Sequence, residues 1–213
     1  MPQNRSSAIF SQRHETLDSL DDFPTPPWAT RALMELRQIK SDWQRMTCLE
    51  PACGRGTMSI PLLEYFGTVD SSDVYDHGYG DVQDFLSTET PLKRECYDWV
   101  ITNPPFKMAE EFINKGLQVS KVGTAMLCRT VFIESIGRYK RLFSKTPPSF
   151  VAQFSERVPI IKGRLDERAT TATGYAWLIW DKRVQSKETR LIWIPPCRKT
   201  LSKIGDYDIG TAK

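Results

Sequence analysis

The chain alternates short apolar runs with apolar positions at helical spacing. Helical spacing predicts a first helix over residues 29–43. The members of this stripe are Ala32, Leu33, Leu36, Ile39 and Trp43. Apolar runs predict strands over residues 46–49, 68–75, 97–102 and 122–127, and helices are predicted over residues 57–66, 109–120 and 134–143. Because strand and helix alternate, we expect a mostly parallel, doubly wound sheet.

The pattern changes after residue 149, where two strands are predicted with no helix of normal length between them. They cover residues 150–161 and 172–181, and an edge strand is predicted over residues 190–195. The expected fold class is therefore α/β, a Rossmann-like sheet that ends in an antiparallel hairpin, with helices on both faces. The connection over residues 162–171 is long for a hairpin, which favours a functional role.

Composition agrees with one globular domain over residues 21–196. Residues 1–20 are polar with little periodicity and predict a flexible tail, and residues 197–213 predict a basic tail. Without a run of eighteen apolar residues or the apolar stretch of a signal peptide, we expect a cytoplasmic protein with no membrane partner. The five cysteines lack metal-ligand spacing, which predicts reduced thiols and no metal site.

The net charge of +3 is unevenly distributed. Residues 1–128 contain 12 Lys/Arg and 18 Asp/Glu, a net charge of −6, whereas residues 129–213 contain 17 and 8, a net charge of +9. The second part is therefore the candidate surface for a polyanion such as nucleic acid.

The tetrad Asn103-Pro104-Pro105-Phe106 directly follows the predicted strand over residues 97–102. Proline fixes its own φ and restricts the residue before it, so this turn is stiff. The Asn103 side-chain oxygen and the Pro104 carbonyl could accept both protons of one NH2 group, while Phe106 offers a ring for stacking. Such a site suits a planar exocyclic amine, because neutral acceptors favour a nitrogen whose lone pair can attack.

A glycine turn follows the first predicted strand, with the sequence Glu50-Pro51-Ala52-Cys53-Gly54-Arg55-Gly56. Strand, glycine turn and helix form the first unit of dinucleotide-type folds, in which the glycines let the backbone approach a ligand closely. The turn lacks G-K-[ST], which argues against a phosphate-cradling P-loop. An acidic residue at the strand end suits a cationic ligand or an α-amino group.

These two motifs, about fifty residues apart, resemble the S-adenosylmethionine-dependent amino-methyltransferases that act on DNA adenine, and most closely the compact orphan enzymes of phages and prophages. The resemblance covers roughly residues 23 to 195. It implies a class I methyltransferase fold, S-adenosylmethionine as the cofactor, and methylation of adenine N6 in double- or single-stranded DNA. It also implies a bacterial or phage-infected host cell. The short C-terminal part leaves no room for a large target-recognition domain, so we expect short or relaxed sequence specificity.

The resemblance also assigns roles to residues by their position. The expected catalytic residues are Asn103, Pro104, Pro105 and Phe106. The expected cofactor contacts are Phe23, Thr25, Pro26, Trp28, Glu50, Pro51, Ala52, Cys53, Gly54, Gly56, Asp73, Asp84, Phe85 and Asn103. In this assignment Asp73 binds the ribose, with Asp76 in reserve, and Asp84 and Phe85 bind the adenine of the cofactor.

Basic residues of the second part provide the expected nucleic-acid contacts, together with Lys107. They are Lys107, Arg138, Lys140, Arg157, Lys162, Arg164 and Arg168. The resemblance further places Arg157 and residues 174–177 at the wall of the target-base pocket.

Alternatives remain open at this level. An RNA adenine methyltransferase would use the same pocket, and a protein glutamine methyltransferase would also hold a planar NH2 group in such a turn. A non-catalytic nucleic-acid-binding subunit could have the same fold. The basic C-terminal part favours nucleic acid over protein, and a monomer or a homodimer would fit.

Overall fold

The computed structural model describes residues 22–89, 91–185 and 187–209. Within them, eight strands form one sheet in the order β3-β2-β1-β4-β5-β7-β6-β8. The strands are β1 Thr47–Glu50, β2 Thr68–Asp73, β3 Asp81–Val82, β4 Tyr97–Thr102, β5 Ser120–Arg129, β6 Phe150–Phe154, β7 Tyr175–Asp181 and β8 Arg190–Ile194. The helices are α1 Pro27–Met34, α2 Ser59–Leu62, α3 Ala109–Val119, α4 Ile136–Arg138 and α5 Arg198–Leu201.

Strands β1 to β5 pair in parallel, and β7 lies antiparallel to both β5 and β6. The edge strand β8 then pairs in parallel with β6. The predicted mostly parallel sheet with a terminal antiparallel hairpin is therefore confirmed. Parallel strands place their carboxyl ends at one edge, and that edge holds the residues considered below.

Apolar side chains leave the central strands on both faces of the sheet, because successive residues of a strand point to opposite sides. In β5, Ala125 and Leu127 join the core cluster that contains α1 and α2. Met126 and Cys128 join the other cluster, which contains the buried face of α3. Helices thus cover both faces, as the sequence predicted.

The first two predicted helices are shorter than expected. Helix α1 ends at Met34, and Leu36 has an extended backbone that breaks it. Ile39 and Trp43 are buried as their spacing predicted, but they lie in 3-10 turns. Helix α2 ends at Leu62, and i to i+3 backbone bonds continue to Tyr65. Apolar spacing predicted burial here, but it did not distinguish α-helix from tighter turns.

Strands β6 and β7 are also shorter than predicted, and the chain between them lacks regular secondary structure apart from turns. The prediction for residues 1–20 lies outside the described part of the chain. The segment 197–209, predicted as part of a tail, packs on α1 instead. Its Asp206 is buried and accepts hydrogen bonds from the Arg31 guanidinium at 2.7 and 2.8 Å. This buried ion pair fixes the segment to the domain.

In the described part of the chain, no helix combines the length and the apolar character needed to cross a bilayer.

Candidate active site

The candidate site lies where β1, β2 and β4 end, and Asn103 directly follows β4. The Asn103 amide nitrogen donates to the Phe23 carbonyl at 3.0 Å and to the Thr25 hydroxyl at 3.1 Å. These two acceptors fix the amide, so its oxygen faces the other way. Asn103 Oδ1 is buried and has no hydrogen-bond partner among the described residues. The predicted acceptor is therefore unpaired, and Phe23 and Thr25 orient it.

An arginine that the sequence did not single out covers the Phe106 ring. The Arg129 guanidinium carbon lies 3.7 Å from the ring centroid, and the Phe23 ring lies 4.8 Å from the Phe106 ring. Arg129 Nε is buried and lacks a partner in the described part of the chain. Arg129 ends β5, the neighbour of β4 in the sheet, so its position at a strand end was the available signal.

A pocket opens beside Phe106 and Arg129. Its lining residues are Pro104, Phe106, Ala109, Leu127, Cys128, Arg129, Val131, Phe132 and Arg138. The lining thus combines two aromatic rings with two guanidinium groups and contains no carboxylate. Arg138 also stacks on Phe132, with 4.3 Å between the guanidinium carbon and the ring centroid. Aromatic and cationic walls suit a base together with its phosphate.

The glycine turn has a left-handed backbone that glycine adopts without steric cost. Gly54 has φ +50° and Gly56 has φ +81°, both in the left-handed region. A Cβ at Gly54 would meet nothing within 4 Å, so the turn is open there. A Cβ at Gly56 would lie 2.7 Å from the Tyr79 ring. Tyr79 therefore packs on the turn, a contact that no sequence motif indicates.

Glu50 is almost fully buried beneath this turn. Its two carboxyl oxygens accept from the Ser59 hydroxyl at 2.6 Å and from the Thr102 hydroxyl at 3.1 Å. Burial raises the pKa of Glu50 from 4.5 to about 8, which outweighs both hydrogen bonds. With this pKa the group is largely protonated at neutral pH.

The other residues of the turn pack against the protein. Pro51 and Cys53 are buried, and Ala52 contacts the core cluster on the α3 side. Burial raises the pKa of the Cys53 thiol, which disfavours a nucleophilic thiolate. Arg55, which the sequence left unassigned, donates to the Gly163 carbonyl at 3.0 Å. This bond fastens the connection over residues 162–171 near the glycine turn.

Asp73 ends β2 beside the glycine turn. One of its oxygens accepts from the Gly54 N–H at 2.9 Å, and the other from the Tyr75 N–H at 3.1 Å. Asp84 accepts from the Leu86 N–H at 2.9 Å. The Phe85 ring is buried in the core, where it packs 5.1 Å from the Phe112 ring.

The predicted contacts before and within α1 divide into two groups. Phe23 and Thr25 reach the site through Asn103, as described above. Pro26 caps α1, and its carbonyl accepts from the Ala29 N–H. Trp28 is fully buried and packs edge-on against Phe154, so it supports the core.

The predicted nucleic-acid contacts are exposed except for the half-buried Arg138, which lines the pocket. The exposed ones are Lys107, Lys140, Arg157, Lys162, Arg164 and Arg168. Of residues 174–177, by contrast, Tyr175, Ala176 and Trp177 are buried in β7, and Trp177 donates to the Ala29 carbonyl. These three side chains therefore support the sheet.

No protein-family model matches the sequence, and no curated protein matches it significantly. Solved structures do match. A candidate class I S-adenosylmethionine-dependent methyltransferase from Listeria monocytogenes matches with TM-score 0.57 and 16% identity, over 92% of this chain and 71% of that one. The fold is that of the class I methyltransferases.

Two further structures share this methyltransferase fold. A type I restriction-modification methyltransferase subunit from Streptococcus thermophilus matches with TM-score 0.58 and 12% identity, over 87% of this chain and 50% of that one. A candidate RNA methyltransferase from Pyrococcus horikoshii matches with TM-score 0.56 and 16% identity, over 75% of this chain and 87% of that one. This chain thus spans about half the length of the restriction-modification subunit. At these identities the likeness establishes the methyltransferase fold.

Proposed function

We propose that the protein is an S-adenosylmethionine-dependent methyltransferase that acts on the exocyclic N6 amine of adenine in DNA. The observation that carries this proposal is the unpaired, buried Asn103 Oδ1, in the same tetrad as Phe106, whose ring lines the pocket. Leaving a buried acceptor unpaired costs about 1–3 kcal/mol. An incoming N–H donor would recover that free energy, and the adenine amine offers such a donor on a planar ring.

The residues around the glycine turn fit the cofactor. The open side of Gly54 leaves room for a ligand against the backbone. Asp73 and Asp84 would hold the ribose and the adenine, while Glu50 and Gly56 would lie near the methionine half. When bound, S-adenosylmethionine supplies an electrophilic methyl group.

The tetrad would hold the acceptor. Asn103 Oδ1 accepts one amine N–H, the Pro104 carbonyl accepts the other, and Phe106 stacks on the base. The nitrogen lone pair would attack the sulfonium methyl carbon as the S–CH3 bond breaks, which would release the neutral thioether S-adenosylhomocysteine, and one proton of the amine would leave to water. Positioning of this kind can contribute roughly 7–11 kcal/mol in favourable cases.

Arg129 has to leave the Phe106 ring if the base stacks on the same face. Its cation–π contact contributes about 0.5–2 kcal/mol, and base stacking on an aromatic ring contributes about 1–3 kcal/mol. The exchange is therefore close to balanced. Flipping a base from a duplex costs a few kcal/mol more, so a single-stranded adenine would be the easier substrate.

The exposed basic residues support DNA as the polyanion, and so does the likeness to a restriction-modification subunit. A recognition sequence would be short or relaxed, and the enzyme would act in the cytoplasm of a bacterial or phage-infected cell, as a monomer or a homodimer.

The test measures transfer of radiolabelled methyl from S-adenosylmethionine to double-stranded DNA, single-stranded DNA, RNA and protein in parallel. We expect label in DNA, lost in Asn103→Ala and Phe106→Ala. Exposed Lys40→Ala, before β1 and outside the predicted contacts, is the control and should retain activity. Label confined to RNA or protein would overturn the proposal that DNA is the substrate. Cofactor binding without methyl transfer would favour a non-catalytic subunit.

A further inference from the structure

Four large apolar side chains are exposed between the end of β5 and the first residue after α4, and one of them is the first residue of α4. Val131 is 59% exposed, Ile133 48%, Ile136 79% and Tyr139 62%. They lie within nine consecutive residues, which we call the apolar rim. Clustered exposed apolar side chains often mark an interaction surface.

The rim is held on a fixed support. Between the rim residues, Phe132 is buried and its carbonyl accepts from Arg138 at 2.8 Å. Leu142 is buried, and Arg141 forms a two-bond contact with Glu110 of α3 at 2.7 and 2.8 Å. Exposure of the rim therefore does not result from a lack of packing in this segment.

The backbone also departs from a regular helix here. Residues Tyr139–Phe143 form a π-helical turn directly after α4. Single π turns inside helices occur frequently at functional sites. Here the π turn begins at the rim residue Tyr139.

Charge favours a nucleic acid as the occupant. Residues 130–145 contain the bases Arg138, Lys140, Arg141 and Lys145 and one acid, Glu134, and the net charge is still +2 when Glu110, the partner of Arg141, is counted with them. The rim is also continuous with the candidate site, because Val131, Phe132 and Arg138 line the pocket beside Phe106. A strand that delivers a base to Phe106 would have its neighbouring nucleotides near this segment.

We infer that the apolar rim binds the bases next to the target adenine, with Arg138 and Lys140 on the adjoining phosphates. This inference rests on the proposed function and extends it from one base to its flanking nucleotides. Stacking on apolar and aromatic side chains tolerates any base, which agrees with a short or relaxed recognition sequence.

The test compares two labelled single-stranded oligonucleotides by fluorescence anisotropy. Both contain one adenine, flanked either by thymines or by abasic residues. The native protein should bind the thymine-flanked strand about tenfold more tightly, a factor typical of one stacked base. The double variant Ile136→Ser, Tyr139→Ala should lose most of this difference and bind the abasic strand almost unchanged.

The matched control is Leu191→Ser, Trp193→Ala, since these exposed side chains lie on β8, three strands from β5 in the sheet. It should keep the tenfold difference. No difference between the strands in the native protein, or a full difference in the rim variant, would overturn the inference. If the double variant unfolds, Ile136→Ser and Tyr139→Ala are tested separately. Binding of the abasic strand shows whether each variant is folded.

Methyl transfer to the thymine-flanked strand is measured in the same samples. Methyl transfer without flank-dependent binding would refute only the inference that the apolar rim binds the flanking bases. Flank-dependent binding without transfer would refute only the proposed reaction.

Discussion

Replacement of Glu50 by glutamine should change how the stability of the protein depends on pH. The folded-state pKa is about 8, above the ordinary value of 4.5, so the folded state binds more protons between these values. The contribution of Glu50 to stability is therefore fully present below pH 4.5 and falls as the pH rises towards 8. The contribution of Glu50 to the free energy of unfolding falls by about 1.4 kcal/mol per pH unit, which amounts to about 5 kcal/mol over the whole interval between the two pKa values.

Glutamine stays neutral across this interval. Its amide can still accept from the Ser59 hydroxyl and donate to the Thr102 oxygen, so the packing is kept. In urea denaturation, the free energy of unfolding of Glu50→Gln relative to the native protein should increase by about 4 kcal/mol between pH 5 and pH 8.

Glu111→Gln, at an exposed position on α3, is the control for replacing a carboxylate with an amide at the surface. A constant difference between Glu50→Gln and the native protein from pH 5 to pH 8 would refute the reasoning. It would mean that Glu50 is already ionised in the folded chain.

Three further predictions concern the site and its support. Asn103→Asp should lower the rate of methyl transfer by roughly 100-fold or more, because a carboxylate cannot donate to the Phe23 carbonyl and the Thr25 hydroxyl as the amide does. A loss under threefold in single-turnover transfer would contradict this prediction. Gly56→Ala should destabilise the fold by about 1–3 kcal/mol in urea, because its Cβ meets the Tyr79 ring, and Tyr79→Ala should recover part of this loss; equal stability of Gly56→Ala and the native protein would refute the contact. Asp206→Asn should cost about 3 kcal/mol in the same assay, because it leaves the buried Arg31 guanidinium without one of its carboxylates; a cost below about 0.5 kcal/mol would show that the ion pair contributes little.

The central strands could be predicted because β4, β5 and β7 are short runs of buried, mostly apolar residues. Strand β3 was not predicted, because its two residues are exposed and form no apolar run. The lengths of the helices could not be predicted, because Ile39 and Trp43 keep the helical spacing of apolar residues although they lie in 3-10 turns. Sequence motifs located Asn103 and the glycine turn, since local chemistry determines both.

Arg129 and Tyr79 could not be found in that way. Each reaches the site from a segment more than twenty residues distant from the motif that it contacts, and their contacts exist only once the sheet is assembled. The same holds for Arg31 and Asp206, which pair across almost the entire chain.

Methylation of adenine N6 can be detected by mass spectrometry of nucleosides from DNA that has been incubated with the protein and with S-adenosylmethionine carrying a deuterated methyl group. We expect deuterated N6-methyldeoxyadenosine with the native protein and none with Asn103→Ala. A deuterated methyl group on a ring carbon, a ring nitrogen or an oxygen would contradict it, as would an unchanged yield from Asn103→Ala.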